Sequence, residues 1–134
     1  FYNDDVPTYP FSLEEAARVL DEAGYKLDAT GKNRIDPNTG NLLPEMKLLT
    51  PTYEVAPTSA ELGKMIAESA QKIGLPIVPE PMDFNVMLAK IDMQDFDMYV
   101  LAWSLTRNPT HLVNFFHSKN DVEATQSARH GTGS

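Results

Sequence analysis

Between Met46 and Val78 the apolar pattern changes period twice, and no other feature of the chain narrows the fold as much. Met46 to Thr50 reads as a strand ended by Pro51. Thr58-Ser59-Ala60-Glu61 then has the pattern of a helix capping box, and Leu62, Ile66, Ala70 and Ile73 recur at helical spacing up to Gly74. Leu75 to Val78 is the next strand, crowded at its ends by Pro76 and Pro79, so a short or irregular one is expected. A strand, a helix and a strand at this spacing predict a βαβ unit, because a helical crossover returns the chain in the same direction.

The flanks extend the alternation. Ser12-Leu13-Glu14-Glu15 is a further capping box, with Glu15 placed to reach back to Ser12. Leu13, Ala16, Ala17, Leu20 and Ala23 share a face, and Gly24 is a stop, which predicts a helix over about 13–23. Residues 1–11 are rich in Pro and Tyr and read as an extended lead-in. The Gly and Pro density of 26–44 predicts a small surface hairpin or loop rather than core, with Asp36-Pro37-Asn38-Thr39-Gly40 as its best turn. Asp83 caps a third predicted helix, whose apolar face is Phe84, Met87, Leu88 and Ile91. Asp97 to Ala102 is apolar on both faces and is predicted to be a central, buried strand. Trp103 to Pro109 reads as the polar loop leaving it, and Thr110 to Phe116 as a short helix. The expected class is α/β, a small, mostly parallel sheet with packed helices.

Composition excludes several functions. The 134 residues suffice for one modest core, and a net charge of −8 repels phosphate backbones, so no nucleic-acid partner is expected. The absence of cysteine excludes a disulfide framework, a thiolate nucleophile and a cysteine-based zinc site. The longest apolar run, Met98 to Trp103, is strand-sized and too short to cross a bilayer. The opening Phe1-Tyr2-Asn3-Asp4-Asp5 has no initiator Met, basic start or apolar run, and reads as a processed or excised beginning.

Three phrases carry a family resemblance. Tyr9-Pro10-Phe11-Ser12 precedes Glu15-Ala16-Ala17-Arg18-Val19-Leu20-Asp21-Glu22-Ala23-Gly24-Tyr25. Leu48-Leu49-Thr50 leads through a helix to Lys72-Ile73-Gly74-Leu75-Pro76-Ile77. Met82-Asp83-Phe84 is followed by Asp95-Phe96-Asp97-Met98, Ala102-Trp103-Ser104, Asn108-Pro109 and Phe115-Phe116-His117-Ser118. In this order, over roughly 9–118, the chain resembles the extracellular solute-binding proteins of family five, the dipeptide, oligopeptide and nickel-binding type that serves ABC importers. The resemblance implies a bilobed receptor that closes about a hinge. This chain would be part of lobe II of a periplasmic-binding-protein type II-like fold. Residues 1–118 would be the partial lobe, with an insert at about 26–44, and 119–134 a loop or disordered tail. It also implies that the partners are a small solute or peptide, the ABC permease subunits and the missing second lobe. The location would be extracytoplasmic, in a periplasm or at the outer face of a membrane, with lipid anchoring left open. No cofactor and no catalysis are implied.

Ligands of open α/β sheets gather at the carboxyl ends of the strands, which points to the loop after Trp103. Trp103 is the only tryptophan, and its face suits either a cleft wall or a packed core. Trp103, Ser104, Leu105, Thr106, Arg107 and Asn108 are the candidate ligand-binding residues. Peptide-binding members of the family carry an aspartate three positions after the tryptophan, which pairs with the peptide amino terminus. Thr106 stands there in this chain, and the loop is one residue shorter, so Thr106 or Arg107 replaces the acid. Neither neutralises an ammonium. Arg107 suits a carboxylate through a bidentate fork, or serves as a solvated loop charge.

Other groupings read as structural. His111 and His117 are six apart, with Asp121 and Glu123 nearby, which is not a metal-ligand spacing. Asp92, Asp95 and Asp97 lack the glycine and terminal glutamate of a calcium loop and read as a solvated turn. Met65, Met87 and Met98 fall where core filling is expected. No nucleophile, base and acid are set together, so an enzyme is not expected. The alternative to a transport module is an independent α/β interaction or regulatory domain.

Overall fold

The computed structural model describes residues 5–102. Its elements are α1 (Leu13–Glu22), β1 (Met46–Pro51), α2 (Pro57–Lys72), β2 (Ile77–Met82), α3 (Phe84–Asp92) and β3 (Met98–Tyr99). No described helix is long and apolar enough to cross a membrane. The described residues fall into two units, 5–43 with 69–75, and 44–68 with 76–102.

In the first unit, the Ser12 hydroxyl accepts the Glu15 N–H at 3.1 Å and starts α1. The predicted box is only half formed. Glu15 turns away from Ser12 and, with Glu22, holds Arg18 along the helix surface. Gly24 ends the helix at φ +94°, with its N–H on the Asp21 carbonyl and the Tyr25 N–H on the Leu20 carbonyl. This is the Schellman pattern that a left-handed glycine permits. Gly74 ends α2 in the same way, through Gln71 and Ala70.

Residues 26–44 form two consecutive turns, marked by isolated antiparallel bridges Leu27↔Arg34 and Ile35↔Leu42. Asp36 tightens the second turn, accepting from the Asn38 N–H at 2.9 Å, while its carbonyl accepts from Gly40 at 2.8 Å. The segment contributes no residue to the apolar core, as expected of a surface hairpin, but Arg34 within it is only 1% exposed. Its Nε donates to the Ile73 carbonyl at 2.6 Å, and its Nη1 to Asp21 Oδ1 at 2.7 Å and to the Tyr25 carbonyl. The guanidinium thus serves carbonyls at the ends of α1 and α2, where a helix leaves acceptors unpaired. Its hydrogen bond also holds the Asp21 carboxyl below the ordinary range.

In the second unit the sheet has the order β2-β1-β3, with both pairings parallel. β1 is the central strand, and Leu48, Leu49, Thr50 and Pro51 are all buried. The sequence assigns the central place to 97–102. Among the described residues that stretch holds only the two-residue β3, half-buried at the sheet margin. β2 starts two residues later than expected and runs through Pro79 instead of stopping at it, taking in Pro81 as well. The Met46 N–H donates to the Pro76 carbonyl at 2.9 Å, which turns the even-numbered residues of β2 toward β1. The nitrogens of Pro79 and Pro81 therefore face the outer edge, where no ladder bond is lost.

α2 begins at Pro57, whose fixed φ suits a first helical position, and the Ala60 N–H donates to the Ala56 carbonyl at 3.0 Å. Thr58 lies inside the first turn, not at the cap. The apolar stripe read from the sequence is also displaced. Gly63 and Ala67 are buried, whereas Leu62 is 46% exposed and Met65, expected in the core, 57%. A Cβ on Gly63 would stand 2.4 Å from Thr50 Cγ2, so the helix lies too close to β1 for larger side chains at that point. On α3, Asp83 caps the start through the Asn85 and Val86 N–H groups, and Met87 is fully buried.

Candidate functional site

The parallel strands β1 and β2 end together, Thr50 opposite Pro81 and Pro51 opposite Met82. The chain then turns through residues 52–56 into the start of α2. A wide cleft of about 550 Å³ opens here, with Thr50 and Thr52 from the end of β1, Pro79 and Pro81 from β2, and Tyr53 and Glu54 from the connecting turn. Ala60 and Lys64 of α2 complete it. Thr50 is 2% exposed and belongs to the packed sheet, while the Tyr53 ring is 66% exposed and free to meet a solute. The first turn of α2 carries no acidic side chain, so the helix's own residues leave its positive end uncompensated. The mixture of hydroxyls, one phenol, two prolines and two opposite charges suits holding a small polar molecule. No reactive pairing of nucleophile and base is found among these lining residues.

The six residues singled out from the sequence, Trp103 to Asn108, lie outside the described residues, as do His111, His117, the helix expected at Thr110–Phe116 and the tail. The last described residue, Ala102, is exposed and follows β3. In the sequence, the carboxyl-end rule points to the strand ending at Ala102. The same rule applied to β1 leads to Thr50–Glu54, a region that carries no tryptophan.

Away from the cleft, several charges of this unit pair with one another. Asp97 Oδ2 accepts the Lys47 N–H at 2.8 Å, and Lys90 pairs with Asp95 at 2.8 Å. That pairing raises the Lys90 pKa and lowers that of Asp95. Lys47 Nζ stands 3.4 Å from Glu80 Oε2, an ion pair without hydrogen-bond alignment.

The model of bacterial extracellular solute-binding proteins, family 5 Middle, matches residues 1–123. No curated protein matches the chain. Among solved structures, the chain resembles the mannohexaose-bound periplasmic oligopeptide-binding protein of an oligopeptide ABC transporter from Thermotoga maritima. The TM-score is 0.73 at 21% identity, covering 90% of this chain and 22% of that one. It also resembles the oligopeptide-binding protein AppA from Bacillus subtilis in complex with a nonapeptide, with TM-score 0.75, 23% identity, and 88% and 23% of the two chains covered. NikA from Brucella suis in complex with Fe(III)-EDTA follows at TM-score 0.64, 23% identity, and 84% and 23% covered. At these identities the likeness establishes the fold, that of periplasmic binding proteins of the type II-like class. The chain spans less than a quarter of the length of each of these structures. With a sheet, an open carboxyl edge and a family pattern matched over 1–123, the chain belongs to the bacterial extracellular solute-binding proteins, family 5.

Proposed function

We propose that this chain is part of one lobe of the solute-binding component of an ABC importer, and that its cleft forms one wall of the site that closes over the solute. The match over residues 1–123 carries the reading. The open cleft at the carboxyl ends of β1 and β2 supports it, since ligands of such sheets bind in that crevice. Trp103, Ser104, Leu105, Thr106, Arg107 and Asn108 would extend the same wall. A second lobe, supplied by the remainder of a full-length protein, would provide the opposite wall. The solute would favour the closed over the open state through its contacts with both. The closed receptor would then engage permease subunits at the extracytoplasmic face of the membrane, without chemistry on the solute.

A thermal-shift panel of peptides, oligosaccharides and metal chelates on the full-length protein tests this reading. A cognate solute at a hundredfold over its Kd adds about 2.7 kcal/mol of stability. Small-angle scattering is then expected to show contraction with the same solute. Silence of every class in both measurements overturns the proposal.

A further inference from the structure

We infer that Gly63 sets the width of the cleft: lacking a Cβ, it lets the start of α2 approach β1 closely enough for Ala60 and Lys64 to share one cleft with Thr50. The inference rests on the solute-binding reading and names a residue that positions the site. Gly63 is inside α2, away from either end, and its φ is not positive. A glycine in that place weakens a helix, so its reason lies in packing. Any Cβ there would stand 2.4 Å from Thr50 Cγ2 and 3.8 Å from Leu48 Cδ2. The strand has little room to give way. Leu48 and Thr50 are 1% and 2% exposed, and β1 is paired on both sides. Thr50 is β-branched, which restricts where its methyl can turn. The helix is the side that can move, because Leu62 and Lys64 on either side of Gly63 are exposed.

The position of the contact ties it to the cleft. Ala60 and Lys64 are the two residues of α2 that line the cleft, and Gly63 lies between them in the same turn. Its contact partner Thr50 lines the cleft from the strand. One turn further along the inner face stands Ala67, 2% exposed, where a methyl is accommodated. The closest approach of helix to strand is therefore at the cleft end. A methyl at 63 would push that turn outward, and Ala60 and Lys64 with it, while Thr50, Pro79 and Pro81 stay with the sheet. A site whose walls are held apart in this way grips its ligand less well.

Calorimetry on the full-length protein tests the inference. The probes are tetra-alanine, maltotriose and Fe(III)-citrate, one from each class of the thermal-shift panel. Gly63→Ala is expected to raise the Kd of the probe that binds about tenfold, with the stoichiometry unchanged. Ala67→Gly removes a buried methyl from the next turn and also destabilises the helix, but it pushes nothing outward, so it is expected to keep the parent Kd. A residue that served stability alone would give the two variants the same Kd. Thr50→Ser removes the methyl that Gly63 faces. In that background Gly63→Ala is expected to change the Kd less than about twofold, a comparison that stands even if the single Gly63→Ala variant does not fold. An unchanged Kd in Gly63→Ala, an equal loss in Ala67→Gly, or a loss that persists in the Thr50→Ser background overturns the inference and leaves the solute-binding reading intact. Binding of none of the probes by the parent overturns both.

Discussion

Arg34 shows what one residue decides. It sits in a segment of turn formers where nothing in the sequence distinguishes it from the other cations, yet it is buried and bonded to Asp21, Tyr25 and Ile73. Its contacts lie 9 to 39 residues away along the chain, so no local pattern reveals them. Arg34→Met leaves carbonyls unpaired and is expected to cost about 2–4 kcal/mol in urea denaturation. Arg34→Lys should not restore the loss, because an ammonium cannot span the same fork of acceptors. Asp28 gives a pH signature. Its carboxylate accepts from the Thr30 hydroxyl and from the Asn33 and Lys32 N–H groups, which lowers its pKa from 3.8 to about 2. A depressed folded-state pKa means the stabilisation is fully present above pH 3.8 and is lost as pH falls through about 2. Thr30→Val should move the Asp28 titration, followed by carboxyl NMR, back up toward the ordinary value.

The helix stripe and the edge strand belong to the scale of elements. Periodicity located α2 but chose Leu62 for the buried face. The sheet selects Gly63 instead, because Thr50 Cγ2 occupies the space a Cβ would need. Gly63→Ala gains helix propensity of about 1 kcal/mol, yet the overlap should make it destabilising by about 1–3 kcal/mol. Thr50→Ser removes the obstructing methyl, so Gly63→Ala should be neutral or stabilising in that background, a coupling readable from a thermal double-mutant cycle. On β2, Pro79 was read as crowding the end of the strand, whereas the strand runs on and the register turns the nitrogens of Pro79 and Pro81 outward. There they keep a second sheet from adding to the edge. Pro79→Val with Pro81→Val should restore two outward donors and raise self-association in sedimentation velocity.

At the scale of the whole molecule, the chain covers 22–23% of the length of the oligopeptide-binding structures it resembles. One wall of a cleft buries only part of a solute, so the 134-residue chain is expected to show weak or undetectable solute affinity by calorimetry. Tight one-to-one binding by the isolated chain would contradict the half-cleft. Among the described residues, the sequence by itself located α1, β1, α2, β2 and α3, the parallel βαβ order and the family. Period, caps and stop residues act over a few positions, and the family phrases are read linearly. Only the tertiary structure decided that β1 is the central strand among those described, that Gly63 rather than Leu62 meets it, that Arg34 is buried, and that Glu54 and Lys64 share a cleft. Each of these depends on distances between residues far apart in the chain, and packing fixes those distances while one-dimensional spacing does not.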